Sequence, residues 1–426
     1  MPKNILYILV FILVVFQQFP SYDADVYERG EVHTIYENPV EWIKISPFEL
    51  CIVAGFILVL FNKTNSIIIQ KRFLANRLYI ILIAIVILLG IFWGIVNGIG
   101  IFPILNQVRS IFYPFLIIFI IQRTLNNTEE IYALLKFMFS LSIFVGFYGL
   151  FLFLTGKGRL TLLGSQIIFY DFASLYVLSF SIIYYFLIYL KKKSIIEIFT
   201  SFMWFVPILI SFFFSYRRSA YVGILLACIL IVFLYYKNIF KIFVKAVLLC
   251  IVLYGLISFT QSKNIDNVVD EFATILIMDE SNASNYFRLL EIDLVYTQVT
   301  ANPLIGKGWG SRYDIYGVPQ STMEFMNDVN IVVHNSYLAI WFKTGLPGLL
   351  CFLFIVFMPL IQIVKLIIRN KLFENNYDML LLCSGMIVVI LFDFIIGPQI
   401  FHIRTTALAA IFYGLGIKMV GIHGRV

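Results

Sequence analysis

A chain of 426 residues that is 61% hydrophobic and only 13% charged, with a mean hydropathy of +0.94, is not a soluble globular domain, which is about half apolar and about a quarter charged. The net charge of +7 does not mark a nucleic-acid partner, because the basic residues lie in short loops between apolar runs, the pattern that sets membrane topology. The five cysteines (Cys51, Cys228, Cys250, Cys351 and Cys383) all fall in apolar segments, so they read as small hydrophobes and imply no disulfide framework.

A hydrocarbon layer about 30 Å thick is crossed by roughly 20 apolar residues in a helix. Runs of that kind predict spans at 4–19, 48–62, 78–97, 101–122, 131–154, 168–190, 196–214, 219–236, 240–259, 346–364, 379–397 and 404–420. The expected fold is all-α: a polytopic bundle of twelve transmembrane helices, with residues 1–426 as a single transmembrane domain. The first span follows Lys3 and is not followed by a small-residue cleavage site, so it reads as a retained anchor.

Lys and Arg set the orientation. One set of loops carries Lys63, Lys71, Arg72 and Arg77, then Lys191–Lys193, then Lys237, Lys241 and Lys245, then Lys365, Arg369 and Lys371. The opposite set carries fewer: Arg29 and Lys44, Lys157 and Arg159, Arg217 and Arg218, and Arg404. The positive-inside rule then puts both termini in the cytoplasm. The long polar segment 260–334, between spans nine and ten, falls outside; its ten acids and four bases leave it at −6. Chemistry is expected there, since loops on a rigid scaffold carry function.

Four stretches in this region invite a chemical reading. Ser215-Tyr216-Arg217-Arg218-Ser219-Ala220-Tyr221 places two guanidiniums at the outer surface, where they suit a diphosphate and would equally anchor to lipid headgroups. Residues 285–296 form an amphipathic helix, with Arg288, Glu291 and Gln298 on a polar side and Phe287, Leu290, Leu294 and Val295 on an apolar one; such a helix would lie on the membrane surface with Arg288 at headgroup depth. Alternatively, Arg288 simply pairs with Glu291 one turn on. Asn302-Pro303-Leu304-Ile305-Gly306-Lys307-Gly308-Trp309-Gly310-Ser311 has the glycines of a phosphate loop without the preceding strand or the Walker lysine; a tight turn explains it better than an anion nest. His334-Asn335-Ser336-Tyr337-Leu338, followed by Gly345-Leu346-Pro347-Gly348, contributes the loop's one histidine, a competent general base near neutral pH.

Three ionisable residues are predicted inside or at the end of spans: Arg109, Asp171 and Asp393. Such charges face the bundle interior and pair there. The scattered histidines (His33, His334, His402, His423) have no metal-ligand spacing. Asp23-Ala24-Asp25 is a D-x-D in the first outer loop and the one alternative that would point to a metal.

The order of the four stretches, Arg218-Ser219-Ala220, Arg288, the segment 302–310, then His334-Asn335-Ser336-Tyr337-Leu338 with Gly345-Leu346-Pro347-Gly348, resembles the O-antigen ligase and polymerase family of bacterial envelope glycosyltransferases over roughly residues 210–350. The chain departs from the family pattern at Lys343, often acidic, and at Arg217, usually small. The resemblance implies the GT-C-type helical fold of membrane glycosyltransferases and a multi-pass protein of the bacterial inner membrane with its active site on the external face. It implies transfer of a glycan from an undecaprenyl (polyprenyl) diphosphate donor to an acceptor hydroxyl on a glycan or lipid, in lipopolysaccharide or exopolysaccharide synthesis. It implies no cofactor and no metal. In that scheme Arg218 and Arg288 neutralise the leaving diphosphate, Arg217 adds to the donor site, and His334 deprotonates the acceptor. Asn335 and Tyr337 orient the site, and the anomeric carbon inverts. A flippase for the same lipid is the other expectation; it would place polar residues along several helices at mid-membrane.

Overall fold

The computed structural model describes residues 2–16, 45–61, 66–156, 159–160, 166–167, 172–191, 195–215, 217–235, 283–317, 330–369 and 374–423. In chain order the helices are α1 (Pro2–Val15), α2 (Pro47–Phe61), α3 (Ser66–Val96), α4 (Ile101–Thr124), α5 (Thr128–Leu154), α6 (Phe172–Lys191), α7 (Ile195–Phe213), α8 (Arg218–Tyr235), α9 (Ala283–Ala301), α10 (Ser336–Arg369), α11 (Glu374–Ile396) and α12 (Ile403–His423). Arg159–Leu160 pairs with Gln166–Ile167 as a two-residue antiparallel ladder.

Seven of these helices are long and apolar enough to cross a membrane, and four shorter apolar ones accompany them. Together they match eleven of the expected spans; the one at 240–259 lies outside the described residues. The protein is thus a polytopic helical membrane protein. Its helices pack as α12 along α4, α11 along α8, α5 along α7 and α10 along α3. α9 is the exception: it is weakly apolar and rests against α10.

Local chemistry starts the helices where they start. Ahead of α2, Ser46 and Glu49 form a reciprocal capping box: the Ser46 N–H donates to Glu49 Oε2 (2.6 Å) and the Glu49 N–H to Ser46 Oγ (3.3 Å). The other Glu49 oxygen lies 3.5 Å from Arg109 Nη1, so Glu49 is a partner of the intramembrane arginine. Asn127 caps α5, accepting from the Glu130 N–H at 2.9 Å. Arg404, expected as an outer-loop charge, is fully buried. Its guanidinium donates to the Leu13 and Val14 carbonyls at the end of α1 and to Ser174 Oγ on α6, satisfying carbonyls that a helix end leaves without partners.

α10 is two helices in one. Gly345 has φ +72° and ψ 177°, which separates a short helix, Ser336–Thr344, from the long apolar run that follows. Pro347, in the first turn after the break, needs no helical N–H partner. The expected start of this span at 346 marks the second helix; the first is a separate platform.

Candidate active site

Everything that frames the site lies at one end of the bundle: the ends of α3, α7 and α11, the starts of α4, α6, α8, α10 and α12, and α9 across them. His334 immediately precedes α10. Its backbone N–H donates to Glu291 Oε1 (2.8 Å) and its Nδ1 to Glu291 Oε2 (2.6 Å). A carboxylate only accepts hydrogen bonds, so this double contact puts the ring proton on Nδ1. The Nε2 lone pair is then left for chemistry, and it makes no hydrogen bond among the described residues. The Glu291 side chain is 5% exposed and that of His334 37%: the carboxylate is sealed under the ring while the ring edge stays accessible.

Glu291 therefore belongs to the site rather than to an i,i+3 pair with Arg288. The amphipathic reading of α9 needs the same correction. Its apolar side does not lie on lipid: Leu294, Val295 and Val299 pack against Tyr313, Val333, Leu338, Ala339 and Phe342, with Phe287 and Leu290 at the edge. The inward face is a protein core, and Glu291 rides on it.

The segment that delivers His334 is fixed from several sides. Gln298 Nε2 donates to the Asp314 carbonyl (2.8 Å) and its Oε1 accepts from the Asp314 N–H (3.1 Å), as a neighbouring strand would. Tyr313 and Asn330 exchange two bonds of 3.1 Å. Gln107 on α4 accepts from the Gly310 N–H (2.7 Å) and donates to the Ile331 carbonyl (3.2 Å). The fully buried Lys343 donates to Ser311 through both its carbonyl and its hydroxyl, and to Ile331 O.

The glycine-rich stretch is part of this scaffold and not an anion nest. Its central N–H groups are occupied: Lys307 bonds Phe342 O (2.8 Å), Gly308 bonds Lys343 O (2.9 Å) and Trp309 bonds Gly90 O (2.9 Å). The Trp309 indole is completely buried on α3. The glycines are there because backbones touch. A Cβ on Gly306 would sit 2.3 Å from Lys343 O, and one on Gly345 2.3 Å from Leu304 O.

Asp393, near the end of α11, gathers the arginines. It is buried, accepts from the Tyr176 hydroxyl at 2.9 Å and from Ser219, and has Arg217 and Arg288 as its cationic neighbours. Its other oxygen, Oδ1, has no hydrogen-bond partner among the described residues. His402, between α11 and α12, has His334 and Arg217 as electrostatic neighbours. Burial, with the neighbouring His334 ring and the Arg217 guanidinium adding to it, pushes the His402 imidazole down to about 4, which makes it a poor base at neutral pH. Arg217, Arg288, Asp393, His402 and His334 thus form one electrostatic neighbourhood drawn from five places in the sequence. Arg217 and Arg288 are both half-buried. Arg218 opens α8; its side chain is outside what the structure describes.

The other two expected residues have structural partners. Asn335 Oδ1 accepts from the Leu338 N–H at 2.9 Å and so caps α10. Tyr337 donates to Leu391 O at 3.1 Å, and its ring lines an apolar groove of about 420 Å³ between α8, α10 and α11, walled by Leu226, Leu353, Phe357, Leu391 and Ile395 among others. Of the remaining expectations, Asp171 and the Asp23/Asp25 pair lie outside the described residues. Among the described residues no three His, Cys, Asp or Glu side chains meet as a metal site would require.

Residues 202–353 match the protein-family model for O-antigen ligase. Over that region the chain is similar to the O-antigen ligase family. The match brackets α8, α9, the glycine-rich stretch, His334 and the Gly345 break. With the membrane helices, it supports a glycan-transfer role at a membrane. No curated protein matches the chain.

Proposed function

We propose that this protein transfers a glycan from a polyprenyl diphosphate to an acceptor hydroxyl, with His334 as general base on the external face of the membrane. The observation that carries the reading is the double contact of Glu291 with His334. A carboxylate that fixes the tautomer and orientation of an imidazole is the arrangement that makes histidine a directed base.

The acceptor hydroxyl gives its proton to His334 Nε2 while its oxygen bonds the anomeric carbon. The bond from that carbon to the diphosphate oxygen breaks, and the leaving group departs with the electron pair. Negative charge therefore builds on the diphosphate, where Arg217 and Arg288 stabilise it; Arg218, next in sequence, is assigned the same task. A single displacement by this route inverts the anomeric centre, since no second carboxylate is needed as nucleophile. Asp393 keeps the two arginines from scattering by mutual repulsion. The groove beside Tyr337 is apolar and next to the charges, which suits a donor with an isoprenoid tail and a diphosphate head.

The test is a purified-protein assay with a polyprenyl-diphosphate oligosaccharide. The expected result is product that forms equally with and without EDTA, because the guanidiniums supply the charge that a divalent ion otherwise would. Arg288→Ala is expected to abolish product while leaving the protein in the membrane. A size ladder of products marks a polymerase, and a single transfer to a terminal acceptor marks a ligase. Loss of product with EDTA would move the site toward Asp23 and Asp25. No product from the unaltered protein, together with movement of the same lipid across vesicles, would establish the flippase instead.

A further inference from the structure

α9 has three faces rather than two. The inward one carries Glu291, Leu294, Val295 and Val299. Of the two exposed ones, Asp293, Thr297 and Thr300 form a polar stripe. Leu289, Ile292 and Tyr296, spaced i, i+3 and i+7, form an apolar stripe with exposures of 38%, 37% and 53%. The chain leaves the helix with Leu304 and Ile305, 62% and 52% exposed, so the apolar stripe does not end with the helix.

What covers this stripe follows from where it stops. Pro303 O accepts from the Leu346 N–H (2.9 Å) and from Trp341 Nε1 (2.9 Å), and the Tyr296 ring meets the Trp341 ring edge-on at 6.3 Å. Leu304 abuts Gly345, the point where α10 breaks and its apolar run begins at Leu346. The stripe is therefore held at the height where the chain enters the membrane. Further along α10, Leu350, Phe354 and Ile361 are exposed, a lipid-facing set. Tyr and Trp at this junction suit the boundary between headgroups and acyl chains.

We propose that the Leu289–Ile292–Tyr296 stripe, continued by Leu304 and Ile305, is seated in the membrane leaflet at the site end of the bundle. The occupant of this face is bilayer lipid. α9 lies at the interface with its apolar flank in the leaflet, its polar stripe in water and Glu291 turned inward. The seat stands on the surface alone; its importance for catalysis rests on the reading of His334 and Glu291 given above.

Spin labels test the seat independently of activity. The full chain, with its five cysteines replaced by Ala, would carry Ile292→Cys, Tyr296→Cys, Thr297→Cys or Thr300→Cys in phosphatidylethanolamine–phosphatidylglycerol vesicles. Labels at 292 and 296 are expected to collide with oxygen, which partitions into acyl chains, more than with a water-soluble nickel chelate. Labels at 297 and 300 should show the inverse ratio. Nickel access at all four positions would overturn the proposal, and so would shielding of 292 and 296 from both reagents, which would mean that protein covers the stripe. In parallel, Ile292→Asp is expected to lose product formation in vesicles while Thr297→Asp keeps it. Where the unaltered protein forms product, equal activity of these two variants would also overturn the proposal.

Discussion

Glu291→Gln is expected to lower glycan transfer by about 10²–10⁴-fold, nearly as much as His334→Ala. The reason lies in counting acceptors. Glu291 receives two N–H groups, one from the His334 backbone and one from its ring. Glutamine has one carbonyl oxygen and an NH₂ group. If its oxygen keeps the backbone N–H, its NH₂ faces Nδ1 and draws the ring into the other tautomer, with the proton on Nε2, where the base must be free. If its oxygen keeps the ring, the backbone N–H is left without an acceptor, at roughly 1–3 kcal/mol. Either way the base is disarmed or displaced. Initial rates of purified variants check this, with the membrane-inserted fraction measured alongside. Because the two residues act as one unit, the double variant Glu291→Gln/His334→Ala is expected to cost no more than His334→Ala alone. Additive losses would show that Glu291 acts on something other than His334.

The long apolar helices were legible because hydrophobic length is read directly along one dimension. Where boundaries moved, the cause was helix that is not apolar. α3 begins at Ser66, ahead of the apolar run at 78, because the intervening residues contain no helix breaker. α10 begins at Ser336, ahead of 346, because the Gly345 break hides a separate short helix. His334, Arg217 and Arg288 were legible as residue types suited to the proposed chemistry. Glu291 was not. In sequence it stands one turn from Arg288 and 43 residues from His334, so local pairing was the simpler account. Only the docking of α9 on Val333, Leu338 and Phe342 brings it under the imidazole. Asp393 shows the opposite case: an intramembrane carboxylate announced itself by cost alone, but its neighbours on α6, α8 and α9 needed the fold.

The same docking makes the glycine-rich stretch the most sensitive point of the scaffold, and Gly308→Ala is expected to destabilise the protein by on the order of 3 kcal/mol or more. Gly308 has φ +90°, and a Cβ there would lie 2.0 Å from Gly94 N and 2.2 Å from Gly94 Cα. The obstacle is helix backbone, which cannot swing aside as a side chain can. To admit the methyl group, the stretch must lift off α3, breaking the Trp309 bond to Gly90 O and drawing the buried indole from its place. Lys343 and Gln107 would lose their hold on Ser311 and Gly310, and through Ile331 the segment that carries His334 would shift. Gly98→Ala and Gly317→Ala separate this crowding from backbone strain. Both glycines have φ +72° and nothing within 4 Å of the added carbon, so each should cost only roughly 1 kcal/mol. Thermal unfolding of the three variants in the same detergent decides between the accounts. A large drop in Tm for Gly308→Ala alone assigns the motif to backbone packing against α3. Equal, small drops would mean that the stretch does not bear on α3, and its glycines would again be open to an anion-binding role.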